Sequence, residues 1–370
     1  MEIMETADIR AFDRKALWVA RSFRGLSIVQ LAELAGVSRQ TVNSIESGKM
    51  QPFRPGLLAI ADALHFPPRF FLRTPDVPDE DVLHFRRGAR VPEHAIDRAR
   101  AFASLFGRVA ETFSTFARFT PPSLPAVDTP QDQEAIERAA EKFRTAIGFR
   151  PDAPIANAIR AAEAAGVFIG TFDFGDLPIH GFACATPVAL VMLSKKAAWS
   201  RRRFSVMHEV GHLIMHRTSV PEDKESQADR FAGAALIPRA AFWREFPRPL
   251  SRQLDWSAML TMKHRWGVSL QAIVHRAFDI GLIDATQYRT ASIHVQKYGW
   301  KTVEPGEEPL EEPGVCASFI AELQKRSAIA DLCSSADLYP ADVGLTLGLR
   351  VEESIDMSGV LRMRHAARSI

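Results

Sequence analysis

A mainly helical protein is predicted, with one small mixed α+β region in its middle and a compact all-α unit at its amino terminus. Three observations carry that expectation. From Asp13 to about Phe71 the chain is a string of short helix signals separated by turn residues. The strand-like runs, Val167 to Ile169 and Phe182 to Leu193, are confined to the middle and flanked by helical patterns. An apolar, helix-compatible run from Arg201 to His216 carries His208-Glu209-Val210-Gly211-His212, a spacing that brings two imidazoles to one helix face.

In the amino-terminal unit, Ser27-Ile28-Val29-Gln30 has the form of a capping box, and Gly36 ends the helix it opens after two turns. Ser38 caps a second short helix, and Gly48 lies just past its end. Pro67, Pro68, Pro75, Pro78 and Pro92 then crowd a connecting stretch, and a new helix is expected near Glu93. Along it Ala95, Ala99, Phe102, Phe106, Val109, Phe113 and Phe116 recur in steps of four and three, a seam that packs either on the chain's own next domain or on a second copy. Pro121, Pro122, Pro125 and Pro130 end the segment. Helical patterns follow at 132 to 147 and 153 to 165, then the two strand-like runs, then helices at 201 to 216 and 225 to 236, the latter closed by Pro238. Further helices are expected at 254 to 266, 269 to 280 and 286 to 298, and a loop rich in Glu, Pro and Gly (303 to 314) leads to a weakly patterned tail.

The expected division is 1–75, 76–130 as a linker with a long helix, 131–245 around the metal motif, and 246–370 as a helical extension. At 370 residues, several units are anticipated from a prior of about 150 residues each. A 46% apolar and 24% charged composition is that of a globular protein, and the net charge of +2 excludes a grossly basic coat protein. Residues 1–75 hold ten Lys or Arg against seven acids, a balance compatible with a nucleic-acid partner. Cys184, Cys316 and Cys333 are far apart and form no C-x-x-C pair, so neither a disulfide framework nor a thiolate metal site is supported. Met1 to Arg10 lack the pattern of a secretory leader and no 18-residue apolar segment occurs, so a cytoplasmic chain with no membrane partner is expected.

The H-E-x-x-H run places His208 and His212 as metal ligands, with Glu209 one residue round from His208, in reach of a water on the ion's open side. A third ligand is needed. His216 continues the i+4 series, but three in a row on a straight helix diverge too far. Met215 and Thr218 occupy the Gly and third His positions of the longer H-E-x-x-H-x-x-G-x-x-H pattern. Glu225 remains: it opens an E-x-x-x-D run in which Asp229 can accept the spare N–H of a ligating imidazole. Zinc is the expected ion, with manganese and iron left open. The basic run Lys195, Lys196, Arg201, Arg202 and Arg203 reads as a solvated face, with docking of an acidic substrate segment as the alternative, and His180 reads as structural, with a place near the metal as an electrophile as the alternative.

These residues resemble the ImmA/IrrE family of zinc metallopeptidases. Arg203-Phe204-Ser205-Val206-Met207-His208-Glu209-Val210-Gly211-His212-Leu213-Ile214-Met215-His216 is similar to that family's metal-helix block. Gln227-Ala228-Asp229-Arg230-Phe231-Ala232 through Ile237-Pro238 is similar to its acidic-helix block, with Gln227 where a Glu is common. Residues 26–70 resemble the XRE class of phage-repressor-like helix-turn-helix regulators through Leu31-Ala32, Gly36-Val37-Ser38, Ile45-Glu46 and Gly48, with Ile28 in place of a usual Gln. Lys263, Trp266-Gly267-Val268-Ser269, Arg276, Gly299-Trp300 and Glu304-Pro305 are similar to long members that fuse both modules. The resemblance implies a zincin-like domain behind a helix-turn-helix unit. It implies either a zinc endopeptidase that cleaves a helix-turn-helix repressor and so derepresses a stress or mobile-element operon, or a transcription factor or antitoxin whose metal fold senses a ligand or partner without turnover.

If Ser38 to Ser47 is the recognition helix, Arg39, Gln40 and Asn43 are placed for base edges and Thr41 for a phosphate, whereas Val37, Val42 and Ile45 face inward. The expected DNA partner is a double-stranded operator, bound by a homodimer.

Overall fold

The computed structural model describes residues 11–80, 83–87, 91–116, 124–125, 127–130, 132–177, 179–185, 188–217, 221–248, 253–300 and 303–351. The reading of Met1 to Arg10, the prolines 121 and 122, and Thr218 lie outside the described residues.

Four helices open the chain: α1 (Arg14–Arg24), α2 (Ile28–Ala35), α3 (Arg39–Glu46) and α4 (Arg54–Leu64). Their ends are set by local chemistry. The Ser27 hydroxyl accepts from Gln30 N while the Gln30 side chain accepts from Ser27 N, so the capping box is complete. Gly36 then takes a left-handed conformation (φ 65°) that a β-carbon would strain, and its N–H closes α2. Leu17, Phe23, Leu31, Val42, Ile45, Leu57 and Ile60 form the core of this unit.

A short strand β1 (His84–Arg87) and the long α5 (Glu93–Phe116) follow. The stretch expected to be only a connection thus supplies a strand. The α5 seam is internal: Ala95, Ala99, Phe102, Phe106, Val109 and Phe113 are buried in the chain's own core, which leaves no seam there for a second copy. Phe102 meets Phe23 of α1 at 4.4 Å between ring centroids, and Phe113 meets Phe319 of the tail at 4.0 Å.

Next come α6 (Gln133–Ala146), α7 (Ala158–Ala164), β2 (Phe168–Phe172), β3 (Ile179–Cys184), β4 (Leu190–Ser194), α8 (Trp199–Met215), α9 (Lys224–Leu236) and α10 (Arg239–Glu245). The run expected as one strand between Phe182 and Leu193 is two antiparallel strands, in which Phe182 faces Met192 and Cys184 faces Leu190. The four-stranded sheet has the order β1-β3-β4-β2, with β2 parallel to β4 and the other pairs antiparallel. Both faces are covered, so every residue of β2 and β4 is buried, Thr171 and Ser194 included. Phe168, Phe172, Phe182 and Met192 turn toward α5 and the tail, whereas Ile169, Ala183, Val191 and Leu193 turn toward α8. Pro238, which ends α9, also starts α10 as its N-cap.

The rest is α11 (Trp256–Trp266), α12 (Leu270–Asp279), α13 (Ala285–Lys297), α14 (Val315–Lys325), α15 (Ile329–Ala336) and α16 (Pro340–Leu347). The weakly patterned tail is therefore three helices, whose Ile320, Leu332 and Val343 join the core of α5 and the amino-terminal unit. Arg24 reaches Asp342 at 2.6 Å and Arg69 donates to Ser334 Oγ at 3.1 Å, so the tail clasps the first four helices. The Glu-rich segment after α13 is a strap. Glu307 and Glu304 bind the fully buried Lys263 ammonium at 2.6 and 2.7 Å, and Glu311 caps Ala158 N at 2.8 Å while pairing with Arg203. The solvated-face reading therefore fails for Arg202 and Arg203, each 2% exposed, because an acidic segment of the same chain covers them. Lys195, Lys196 and Arg201 are exposed, as the solvated-face reading expects.

Candidate metal centre and DNA-reading surface

The metal motif lies on α8, whose middle is buried on every side between the sheet and α9. Two glycines make that approach possible. A β-carbon on Gly211 would sit 3.0 Å from the Phe231 ring of α9, and one on Gly181 would sit 3.1 Å from Met192 O and 3.5 Å from Glu209 Oε1. With these positions bare, α9 comes close enough to bring Glu225 over α8, and β3 passes close beside the Glu209 carboxylate.

His208 Nε2 and His212 Nε2 face each other at 3.1 Å, and Glu225 presents its two carboxylate oxygens to them at 3.3 and 3.6 Å. One ligand atom from each residue lies within 4.8 Å of the others. Two borderline imidazole nitrogens and a carboxylate oxygen brought this close together are a donor set suited to a divalent cation such as zinc. His216 is not a fourth member of that set: its Nδ1 lies 2.8 Å from His212 Nδ1, on the outer side of the ring. Asp229 Oδ1 lies 2.8 Å from His208 Nδ1, also on the outer side. Burial drives His212 toward its neutral form, against the opposing effect of a hydrogen bond to the Glu225 carboxylate, and its pKa falls to about 4. Burial would raise the Glu225 carboxyl, but His208 and His212 outweigh it and hold it well below the usual carboxylate range. A neutral imidazole and an ionised carboxylate are the forms that bind a cation. Glu209 is wholly buried.

A cleft of about 780 Å³ abuts the centre through Asp229, Ser205 and His180. Among the described residues its walls do not include the three candidate ligands or Glu209. Phe172, Phe174, Leu177 and Phe204 supply its apolar surface, and its charged lining is mixed, with Lys196 and Arg201 set against Asp176, Asp229 and Glu304. A hydrogen bond from His275 Nδ1 to the Asp279 carboxylate, at 3.0 Å, raises the His275 pKa against the effect of burial. His180, read from the sequence as structural, is exposed in this wall.

In the amino-terminal unit Arg39, Gln40 and Asn43 are exposed and Thr41 is partly buried. The Thr41 hydroxyl lies 2.8 Å from Ser38 Oγ and its N–H donates there at 3.0 Å, so this residue is part of the helix cap. Val42 and Ile45 anchor the opposite face, and Val37 is partly buried against the same core.

A helix-turn-helix unit and a metallopeptidase-like fold in one chain define the class: a DNA-binding regulator with a metallopeptidase-like domain. Its particular kind follows from two family models: residues 16–69 match a helix-turn-helix domain, and residues 162–278 match the IrrE N-terminal-like domain of the M78 peptidases. The chain is a fusion of these two modules. No curated protein matches it.

Proposed function

We propose that the chain is a cytoplasmic transcriptional regulator whose metal domain is a zinc endopeptidase acting on a repressor-type protein. Residues 1–75 read an operator, 131–245 form the peptidase unit, 76–130 link them, and 246–370 buttress both. The observation that carries this reading is the convergence of His208 Nε2 and His212 Nε2 with Glu225, on a helix where a buried carboxylate, Glu209, follows His208 directly in the sequence. A purely structural metal site has no use for such a general base. The donor set fits a divalent cation held by His208 Nε2, His212 Nε2 and a Glu225 oxygen. Such an ion supplies Lewis-acid activation of water and of a peptide carbonyl. Glu209 accepts the proton of the attacking water and delivers it to the departing amine. Asp229 keeps the His208 proton on Nδ1, so that Nε2 stays a donor of electrons. The cleft beside Asp229 receives an apolar substrate side chain.

Arg39, Gln40 and Asn43 read base edges of an operator, with Thr41 at the phosphate-facing start of the helix, and two copies bind a palindrome. The test is Glu209→Gln. The variant should retain one equivalent of metal and lose all cleavage of a panel of purified helix-turn-helix repressors, read by mass spectrometry of fragments. Undiminished cleavage would eliminate the mechanism.

A second reading, a metal-fold regulator or antitoxin without turnover, is favoured by how closed the centre is. Glu209 has no solvent exposure, and β1 of the same chain pairs along the edge of β3 at Gly181. Under this reading Glu209→Gln leaves promoter control unchanged in a reporter strain, and lost control counts against it.

A further inference from the structure

The two imidazoles of the centre are supported differently on their outer sides. His208 Nδ1 meets a carboxylate directly, Asp229 Oδ1 at 2.8 Å. His212 Nδ1 meets a second imidazole, His216 Nδ1 at 2.8 Å, and the contacts continue: His216 Nε2 lies 3.1 Å from Gln227 Oε1, and Gln227 Nε2 donates to Asp223 Oδ1 at 3.0 Å. His212, His216 and Gln227 are all buried, so each polar atom in the row must find its partner within the protein.

Hydrogen-bonding capacity fixes the direction of every proton in this row. An ionised carboxylate only accepts, so Asp223 requires the NH₂ end of Gln227, which leaves the Gln227 carbonyl toward His216. That carbonyl also only accepts, so His216 must carry its proton on Nε2. His216 Nδ1 is then a lone pair, and His212 must place its proton on Nδ1 to meet it. The one remaining ring atom, His212 Nε2, is left with a lone pair, and it is the atom that faces Glu225 and His208. The exposed carboxylate at the start of α9 thus determines, three side chains away, which nitrogen of His212 is offered to a cation.

We infer that His216 and Gln227 are positioning residues that lock His212 in its metal-binding tautomer through a one-way hydrogen-bond relay ending at Asp223. The inference rests on the reading of His208, His212 and Glu225 as a metal centre. It also gives a physical role to Gln227, where a Glu is common in the family the sequence resembles. An amide next to Asp223 can donate to it, whereas a second carboxylate there would face it as a like charge. His216, excluded as a ligand, acts instead on the ligand before it.

The test is zinc affinity of the full-length chain by competition with a chromophoric chelator. Gln227→Leu and His216→Leu should each bind zinc about 10–100-fold more weakly than the parent chain, the range for loss of a ligand's outer partner. The paired change Gln227→Glu with Asp223→Asn keeps the charge and reverses the last hydrogen bond, so that the amide introduced at position 223 donates to the carboxylate introduced at position 227. It should restore affinity to within about threefold of the parent, well inside the loss expected for a broken partner. A structural role for Gln227 alone would not be rescued by that swap. Long-range ¹H–¹⁵N spectra of the zinc-loaded, histidine-labelled parent provide a readout that needs no variant. The relay requires the Nδ1–H tautomer for His212 and the Nε2–H tautomer for His216. An Nδ1–H or doubly protonated His216 overturns it, as do single variants with parental affinity. A parent chain that binds no zinc, manganese or iron overturns the metal centre itself, a failure distinguishable from that of the relay.

Discussion

The helix-turn-helix unit and the metal centre expose their chemistry to very different degrees. In the first, Arg39, Gln40 and Asn43 project into solvent from a helix held from behind by Val42 and Ile45. In the second, His208, Glu209 and His212 are 0 to 2% exposed, and the carboxylates facing the two histidines, Glu225 and Asp229, come from another helix. The consequence is a difference in separability. A side chain that only faces outward can be changed without disturbing the fold, whereas one that is both reactive and buried carries stability as well.

The largest effect should come from the support of α8. Arg203 donates to Ile155 O at 2.5 Å, Ala156 O at 3.2 Å and Gly267 O at 2.8 Å, and it pairs with the buried Glu311. Arg203→Ala takes the cationic partner from Glu311, which keeps only its backbone donors, and strands three carbonyls, and should cost about 3–5 kcal/mol. Denaturant unfolding followed by circular dichroism measures this, and bound zinc should fall in parallel because Arg203 shares its helix with both histidines. A loss under about 1 kcal/mol, the scale of an exposed pair, would mean that the strap does not hold the centre.

On the other side of the comparison, Asn43→Ala and Arg39→Ala should each weaken binding to an operator selected from a random-sequence pool by about 1–3 kcal/mol per lost base contact. Their unfolding midpoints should stay within about 0.5 kcal/mol of the parent, since both side chains are exposed. Anisotropy titrations at fixed salt measure the first quantity. A destabilised Asn43→Ala would break the contrast between the two regions.

Ser38 sits between these cases, since it faces the reading surface but holds α3 by accepting from Thr41 N. Ser38→Ala should cost about 1 kcal/mol of stability and weaken operator binding through fraying of the first turn. Hydrogen exchange at the Thr41 amide should rise while exchange in α8 is unaffected.

The same contrast governs what could be read in the chain beforehand. Ser27 with Gln30, Gly36, Ser38 and Gly48 act within four residues of themselves, so α2 and α3 were legible almost to their ends. The i+4 histidines and the E-x-x-x-D run were legible because helical geometry alone puts each pair on one face. The row from His216 to Gln227 to Asp223 was not, because the packing of α9 on α8 chooses those partners and no sequence spacing encodes it. Nor was the burial of Arg202 and Arg203: a basic run looks solvated until a strap more than a hundred residues away lies across it. The tail offered Pro340 at a helix start and Gly348 at its end, but its apolar residues face a core shared with α5 and show little period of their own.

Acid should separate the regions by the smallest margin. Burial would raise the Glu307 carboxyl, but hydrogen bonds from Lys263 and Ser200 outweigh it and hold the group below its ordinary value of 4.5. A carboxyl depressed in the folded state stabilises at any pH above the unfolded value, and that contribution is lost as pH falls through the lower folded value. The stability difference between the parent and Glu307→Gln should therefore be constant from pH 7 to about pH 5 and shrink below 4.5, as the unfolded carboxyl takes up its proton first. The fluorescence of Trp266, one helical turn from Lys263 and buried, reports unfolding on that side. A difference that grew in acid would mean that Glu307 is held protonated in the folded chain, and the ion pair at Lys263 would then rest on Glu304 alone.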